Sequence, residues 1–179
     1  MKDAALAARC RRLRLVLCDV DGVLTDGTVV LLPGGGEAKG FHVRDGMAIV
    51  LAHRAGLRIG LLSARSSEVV ARRAAELGIT LVRQGAVDKA VALREIRAEL
   101  GLQPHEVAYI GDDVNDLPLI AEAGLSAAPA DAPLEVRAQA FMVTDAGGGR
   151  GCVREFLEAI LRARGEWDGL VASMAAPQH

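Results

Sequence analysis

The sequence predicts an α/β protein with three layers, in which a parallel sheet is covered by helices on both faces. Short aliphatic runs alternate along the chain with longer segments of helical periodicity, which is the pattern of such a sheet. Gly56, Gly78 and Gly101 each stand just past a helical segment, where a left-handed cap residue is favoured. Because 51% of the residues are apolar and only 3% aromatic, Ala, Val and Leu must fill the interior.

The aliphatic runs and periodic segments give the expected order of elements. We expect strands at 13–18, 57–62, 79–82, 107–110, 125–127 and 141–143, and helices at 45–55, 66–77, 87–100, 115–123, 133–138 and 152–164. The segment 28–43 breaks the alternation, because two strand-like runs flank a Pro-Gly turn, and it predicts a protruding hairpin. The length of 179 residues fits one domain, which we place at 1–166, followed by a flexible tail at 167–179.

Composition and charge exclude several functional classes. A formal net charge of −2 gives no reason to expect nucleic acid or an anionic membrane as the partner. No apolar run approaches the ~20 residues that a membrane-spanning helix needs, and arginines interrupt the N-terminal segment where a signal peptide would be apolar. The three cysteines, Cys10, Cys18 and Cys152, are odd in number and lack the spacing of metal ligands. We therefore expect them to be reduced. We therefore expect a cytoplasmic protein.

Carboxylates follow two of the predicted strands at the point where each strand ends. Asp19 and Asp21 follow the first strand, and Asp112, Asp113 and Asp116 follow the strand at 107–110. Ligands of open parallel sheets bind beyond the carboxyl ends of the strands, and two acidic ends would repel each other unless a cation lay between them. Mg²⁺ suits a few carboxylates, waters and a phosphate. Taken alone, the Asp21-Gly22 pair is also compatible with an ordinary turn.

A hydroxyl group and a positive charge stand at comparable positions. Ser63 ends the second predicted strand, and Lys89 opens a predicted helix. A lone serine there is often only a helix cap, and a lone lysine on a helix is often only solvated. Together with the acidic clusters, however, they supply the donors and the charge that a phosphoryl group needs.

Four motifs carry a family resemblance. The stretches "DVDGVLTDG" and "LLSAR", then Lys89 and "GDDVND", occur in the order of the haloacid dehalogenase superfamily of phosphatases, which they resemble. The longer phrases "FHVRDGMAI" and "LVRQGAVDK" are similar to one subgroup, the capless 3-deoxy-D-manno-octulosonate 8-phosphate (KDO 8-phosphate) phosphatases. The resemblance implies a Rossmann-like sheet, and no gap between the motifs is long enough for a cap domain.

The resemblance also implies a mechanism, the hydrolysis of a phosphomonoester through an aspartyl-phosphate. Asp19 would attack phosphorus, and Asp21 would protonate the leaving oxygen and later activate water. A carboxylate ~4 Å from a phosphate dianion faces about 8 kcal/mol of repulsion at an effective dielectric of ~20, so compensation is needed. The resemblance further implies that the side chains of Asp19 and Asp112 and the main-chain carbonyl of Asp21 hold Mg²⁺. Ser63 and Lys89 would contact the phosphoryl oxygens. Asp113 and Asp116 would orient Asp112 and Lys89.

The implied substrate is KDO 8-phosphate, an intermediate of lipopolysaccharide synthesis, with a nine-carbon keto-sugar acid 9-phosphate (KDN or N-acetylneuraminate) as the alternative. Relatives that act on the nine-carbon acids tend to carry an acid at the position of Arg65. By position, the substrate contacts would be Asp21, His42, Val43, Arg44, Asp45, Gly46, Arg65, Arg73, Lys89 and Asn115. Val50 departs from the subgroup, which usually has Lys or Arg there, so this chain lacks a basic side chain for the substrate carboxylate at that position.

Assembly and rival functions remain open from the sequence. The resemblance implies a homotetramer whose hairpins wall neighbouring sites, although the segment 28–43 is also compatible with an ordinary surface hairpin. The Gly-rich stretch 146–151 is expected to be a flexible connector, with Arg150 a residue that could act together with the tail at the site. A calcium loop lacks its closing acid, and a metal-dependent sugar-nucleotide transferase would not need Ser63 and Lys89. A non-catalytic oligomerisation module would not need the acids.

Overall fold

The computed structural model describes residues 2–175. Its strands are β1 (Leu15–Cys18), β2 (Val30–Leu31), β3 (Glu37–Ala38), β4 (Arg58–Leu62), β5 (Leu81–Arg83), β6 (Val107–Ile110), β7 (Leu125–Ala128) and β8 (Met142–Val143). Its α-helices are α1 (Lys2–Cys10), α2 (Val43–Arg54), α3 (Glu68–Glu76), α4 (Lys89–Leu100), α5 (Leu117–Glu122), α6 (Leu134–Gln139), α7 (Cys152–Ala163) and α8 (Trp167–Ala175).

A parallel sheet of six strands forms the centre of the fold, in the order β5-β4-β1-β6-β7-β8. Strand β1 lies between β4 and β6, and Cys18 is in register with Leu61 on one side and Ile110 on the other. The residues that follow β1 and β6 therefore emerge side by side at the carboxyl edge of the sheet. The predicted α/β fold class is confirmed.

The core lies in two layers because successive strand residues face opposite sides of the sheet. Val16 and Cys18 pack with buried residues of α1, α2 and α7, whereas Leu15 and Leu17 pack with those of α4, α5 and α6. All four residues of β1 are buried, as expected for a central parallel strand covered on both faces. This burial fixes the position at which β1 delivers Asp19.

The hairpin protrudes beside the carboxyl edge, as the sequence predicts. Val30 pairs with Ala38 and Leu31 with Glu37 in an antiparallel arrangement, and residues 32–36 close the turn. The segments between the four motifs hold no cap domain. None of the helices described within residues 2–175 is both long and apolar enough to cross a membrane.

Two helices lie outside the predicted elements. Helix α1 precedes the first strand and buries Cys10 against the core. Helix α8 occupies the first part of the expected tail, and its first residue, Trp167, is only 5% exposed, with the Arg154 guanidinium 4.6 Å from its ring centroid. The structure therefore gives a helix over 167–175, where the sequence predicts a flexible tail, and residues 176–179 lie outside the described part.

Candidate active site

The loop after β1 places Asp19 at the centre of the carboxyl edge. The Asp19 amide donates to the carbonyl of Ile110 at 3.0 Å, and the Val20 amide donates to Asp19 Oδ1 at 2.6 Å. Residues Val20–Leu24 form one wide helical turn in which Gly22 has φ +87°. A Cβ on Gly22 would overlap the carboxylate of Asp112. The glycine is thus required both by the backbone conformation and by the approach of the second acidic segment.

A buried lysine connects the acidic segments. Lys89 is the first residue of α4 and only 4% exposed. Its Nζ donates to Asp19 Oδ2 at 2.6 Å and to Asp116 Oδ1 at 2.7 Å. The helix begins there because Asp88 caps it, accepting from the Val91 amide at 2.9 Å. The structure therefore brings Asp19, Lys89 and Asp116 into one buried ion cluster.

Asp116 is engaged on both of its oxygens. The Tyr109 hydroxyl donates to Oδ1 at 2.7 Å, and the amides of Asp112 and Asp113 donate to Oδ2 at 3.0 and 3.3 Å. With Lys89 also on Oδ1, Asp116 is an orienting group rather than a free ligand. It holds both Lys89 and the backbone of the acidic loop after β6.

Asp112 differs from Asp116 in that its Oδ1 is buried and, among the described residues, has no hydrogen-bond partner. Oxygens of Asp19, Asp112 and Asp116 lie within 4.8 Å of one another. Burial and the charge of Asp116 raise the pKa of Asp19 to about 6, and burial and the charge of Asp19 raise the pKa of Asp112 to about 8. Three carboxylates thus share one lysine, an arrangement that favours the uptake of a proton or a cation, and the free oxygen of Asp112 suits a hard divalent cation.

A pocket of about 180 Å³ lies above this cluster, lined by Asp19, Asp21, Ser63, Ala64, Arg65, Lys89, Asp112, Asp113 and Asn115. Ser63 follows β4 and is 3% exposed, and its Oγ accepts from the Arg65 amide at 3.2 Å. The serine hydroxyl proton is therefore available to a ligand in the pocket. The structure brings together the predicted residues of all four motifs.

The hairpin holds Asp21 through Lys39, which in turn faces Glu37, and the sequence did not predict a role for either hairpin residue. Lys39 Nζ forms an ion pair with Asp21 Oδ1, and Arg65 Nε lies 3.5 Å from Asp21 Oδ2. Glu37 accepts from Arg65 Nη2 at 2.9 Å and lies 3.7 Å from Lys39 Nζ. The available signal was the spacing of Glu37 and Lys39, which puts both side chains on one face of an extended segment.

Other predicted substrate contacts lie outside this pocket. The segment 42–46, which comprises His42, Val43, Arg44, Asp45 and Gly46, opens α2. Asp45 is 1% exposed and accepts from the Arg154 amide at 2.6 Å, so it stabilises the start of α7 instead of facing a ligand. Arg73 donates to Glu76 at 3.1 Å on the surface of α3.

Asp113 and the glycine-rich stretch also differ from expectation. Asp113 lines the pocket, but its carboxylate accepts from the Val114 amide at 2.7 Å, so it caps the short turn Val114–Asp116. It does not orient Asp112 or Lys89 directly. Gly149 donates to the carbonyl of Val23 at 2.8 Å, and a Cβ on Gly148 would overlap the backbone of Gly22. The stretch 146–151 is therefore packed against the loop after β1 and is not a loose connector.

Comparisons with known proteins identify the family of this chain. The family model of haloacid dehalogenase-like hydrolases matches residues 36–124. The KDO 8-phosphate phosphatase of Yersinia pestis is 43% identical over 161 residues, which cover 90% of this chain and 86% of that protein. The enzyme of Escherichia coli K12 is 39% identical over 166 residues, covering 93% and 88% of the two chains.

Solved structures give the same result. The KDO 8-phosphate phosphatase of Moraxella catarrhalis, crystallised with magnesium, phosphate and KDO, matches with a TM-score of 0.92 at 36% identity, covering 94% of this chain and 97% of that one. The cobalt-bound enzyme of Haemophilus influenzae matches with a TM-score of 0.86 at 40% identity, covering 89% and 93%. The chain belongs to the haloacid dehalogenase-like hydrolases and, within them, to the family of the KDO 8-phosphate phosphatases.

Proposed function

We propose that this protein is a Mg²⁺-dependent phosphatase that hydrolyses KDO 8-phosphate to KDO and inorganic phosphate. The observation that carries the proposal is the buried cluster of Asp19, Lys89 and Asp116 beside the unpartnered oxygen of Asp112. A structural ion cluster would be balanced by its own partners, whereas this one leaves negative charge and a free ligand atom at the floor of a pocket. The relative from Moraxella catarrhalis, crystallised with magnesium, phosphate and KDO, supports the choice of cofactor and substrate.

The chain offers a ligand set that fits Mg²⁺. The side chains of Asp19 and Asp112 and the main-chain carbonyl of Asp21 would hold the ion. Asp116 is excluded because each of its oxygens already accepts two hydrogen bonds, whereas each oxygen of Asp19 accepts only one. When bound, the ion supplies positive charge that reduces the repulsion between a carboxylate nucleophile and a phosphate dianion. The other residues of the site then determine where the bonds are made and broken.

Asp19 is the nucleophile of the proposed reaction. One of its carboxylate oxygens forms a bond to phosphorus while the bond between phosphorus and the sugar oxygen breaks. Lys89 and Ser63, which line the pocket beside Asp19, donate hydrogen bonds to the phosphoryl oxygens. Because the Val20 amide and Lys89 each hold one oxygen of Asp19, the carboxylate is oriented before the substrate arrives.

Asp21 is the acid and base of the proposed reaction. In its protonated form, which each cycle regenerates when Asp21 takes a proton from water, it gives that proton to the departing sugar oxygen, so that the alcohol leaves neutral. It then takes a proton from the water that attacks the aspartyl-phosphate, which breaks the bond between phosphorus and Asp19 and releases phosphate. Asp21 lines the same pocket as Asp19 and has 20% of its side-chain surface exposed, so a ligand can reach it.

Substrate selection rests on Arg65. Its side chain is 47% exposed at the rim of the pocket, where a guanidinium can pair with the carboxylate of a sugar acid. Asn115 lines the same rim. The contacts expected from His42, Val43, Arg44, Gly46 and Arg73 remain predictions, and a nine-carbon keto-acid phosphate remains the alternative substrate.

We further propose a cytoplasmic homotetramer that serves lipopolysaccharide synthesis. The hairpin supports the assembly, because Val30, Leu31 and Leu32 are 46%, 76% and 46% exposed in the single chain. Apolar side chains of this size on a protruding element favour contact with another chain. Arg150, at the end of the packed glycine stretch, stays a predicted contributor to the site.

The direct test is a phosphate-release assay with purified protein on KDO 8-phosphate and on KDN 9-phosphate. We expect turnover that requires Mg²⁺ and a higher kcat/KM for the eight-carbon ester. Arg65→Ala should raise KM for the sugar acid more than it lowers kcat. A higher kcat/KM for the nine-carbon ester would overturn the substrate, and no Mg²⁺-dependent turnover of either ester would favour the non-catalytic module.

A further inference from the structure

Lys39 is a buried cation on an element that is otherwise exposed. Its side chain has 0% of its surface accessible, although it lies just after β3 in the protruding hairpin. Burying an ammonium group is costly unless it is paired and hydrogen-bonded. The Lys39 ammonium is paired with Asp21, and Glu37 Oε1 lies 3.7 Å away. The hairpin therefore delivers a desolvated charge directly to a carboxylate of the site.

Asp21 is held at both of its oxygens, by two different elements. Lys39 reaches Oδ1 from the hairpin, and Arg65 lies 3.5 Å from Oδ2 on the loop after β4. Glu37 completes the arrangement, because it accepts from Arg65 Nη2 at 2.9 Å and also faces Lys39. The two acids and two cations form a closed ring of opposite charges beside the pocket, which Asp21 and Arg65 line.

The local backbone does not hold this carboxylate as it holds Asp19. The Val20 amide donates to Asp19 at 2.6 Å, whereas Asp21 precedes Gly22, whose φ of +87° turns the chain away. Among the described residues, the side-chain contacts that fix Asp21 come from Lys39 and Arg65. Arg65 is 47% exposed and has a second acceptor in Glu37, so the fully buried Lys39 is the more restrictive of the two.

We propose that Lys39 is a positioning residue for the acid and base of the reaction. This inference rests on the proposed function. Lys39 holds the Asp21 carboxyl group in the orientation from which this group reaches the leaving oxygen. Because Lys39 belongs to the hairpin, the orientation of Asp21 depends on the position of the hairpin. Without Lys39, Asp21 and Glu37 face each other with Arg65 as their remaining partner, and the Asp21 side chain rotates away from the pocket.

The test compares leaving groups, because only a poor leaving group needs a well-placed acid. Wild type, Lys39→Met and Lys39→Arg are assayed on KDO 8-phosphate, phenyl phosphate and p-nitrophenyl phosphate. For Lys39→Met we expect kcat to fall about 10- to 100-fold on the sugar ester and less than about threefold on p-nitrophenyl phosphate. Lys39→Arg, which keeps the charge, should recover part of the loss on the sugar ester.

A control separates this effect from damage to the fold. Arg58→Met removes an exposed cation at the first residue of β4, at the opposite edge of the sheet, and should leave all three rates unchanged. An equal loss on all esters for Lys39→Met, or no loss on any of them, would overturn the inference. The unfolding temperature of each variant is compared with that of wild type, so that a loss of rate caused by unfolding is recognised.

A crystal structure of Lys39→Met gives a readout that does not depend on turnover. We expect the Asp21 carboxyl to leave the orientation that it has in wild type while Asp19 stays in place. An unmoved Asp21 would contradict the positioning role even if no ester were hydrolysed. Failure of the proposed function is a different result, since it appears as absent turnover by wild type.

Discussion

The two edges of the parallel sheet carry opposite kinds of charged surface. At the amino edge, Arg11, Arg14, Arg58 and Arg164 line a pocket of about 620 Å³, whereas the pocket at the carboxyl edge measures only about 180 Å³. Yet Arg14 is 64% exposed, and Arg164 has its own partner in Glu166 at 2.9 Å. At the carboxyl edge, by contrast, Asp19 and Asp116 are buried, and together with Asp112 they outnumber the one lysine that pairs with them. In this protein, buried and uncompensated charge therefore marks the site of chemistry better than pocket volume does.

Removal of the nucleophile is expected to have the largest effect. Asp19→Asn keeps the shape of the side chain but takes away the attacking carboxylate, so we expect turnover to fall by about 10⁴-fold or more. Asp26→Asn is a matched control, because Asp26 is exposed later in the same loop and caps only the Thr28 amide, at 2.9 Å. Steady-state phosphate release measures both, and a rate for Asp19→Asn within tenfold of wild type would contradict the assignment.

Removal of the cluster's cation is expected to have the next largest effect. Lys89→Met leaves Asp19 and Asp116 facing each other without a cation and removes a donor to the phosphoryl group. We expect kcat to fall about 10²- to 10³-fold and the free energy of unfolding to fall by about 3–5 kcal/mol. Phosphate-release assays measure the change in kcat, and urea unfolding measures the change in the free energy of unfolding. If Lys89→Met retained both the rate and the stability of wild type, Lys89 would have no role in catalysis or in the stability of the fold.

The unpartnered acid distinguishes a metal site from a merely charged pocket. Mg²⁺ should raise the unfolding temperature of wild type by a few degrees, because an ion that binds only the folded state stabilises it. Asp112→Asn should lose this shift, whereas Asp113→Asn should keep it, since Asp113 is exposed and caps the Val114 amide. Thermal melts with and without Mg²⁺ measure the shifts. An Asp112→Asn variant that keeps the full shift would place the ion elsewhere.

The smallest effect is expected at the amino edge. Arg58→Ala removes one exposed guanidinium from the larger pocket, so the free energy of unfolding should change by no more than about 0.5 kcal/mol and kcat/KM should stay within about twofold. Urea unfolding and phosphate release at moderate salt measure these quantities. A loss of activity here would mean that the amino edge is coupled to the site, against the comparison.

The sequence predicted the central part of the fold and the floor of the site for a physical reason. Strands β1 and β6 are short aliphatic runs that stop at acids, and parallel pairing brings such ends together without further information. Asp19, Asp21, Ser63, Lys89 and Asp112 could therefore be named from their neighbours in the chain. Their roles in catalysis and metal binding remain predictions that the variants above test.

The remaining features depend on packing between distant segments. Lys39 and Glu37 were missed because nothing in "GGGEAKG" shows that the hairpin folds back onto Asp21. Asp45 was expected to face a ligand, but it lies beneath the start of α7, which is separated from it by more than a hundred residues. Helix α8 was missed because its anchor, Trp167, becomes buried only against other parts of the fold.

The most direct test of the account is a crystal structure of the protein soaked with Mn²⁺, whose anomalous signal locates the ion. The account predicts one site, with oxygens of Asp19 and Asp112 about 2.1 Å from the metal and the carbonyl of Asp21 as a third protein ligand. An ion bound at other residues, or no ion with Asp19 and Asp112 in the positions described, would contradict the claim that the two acidic strand ends share a cation.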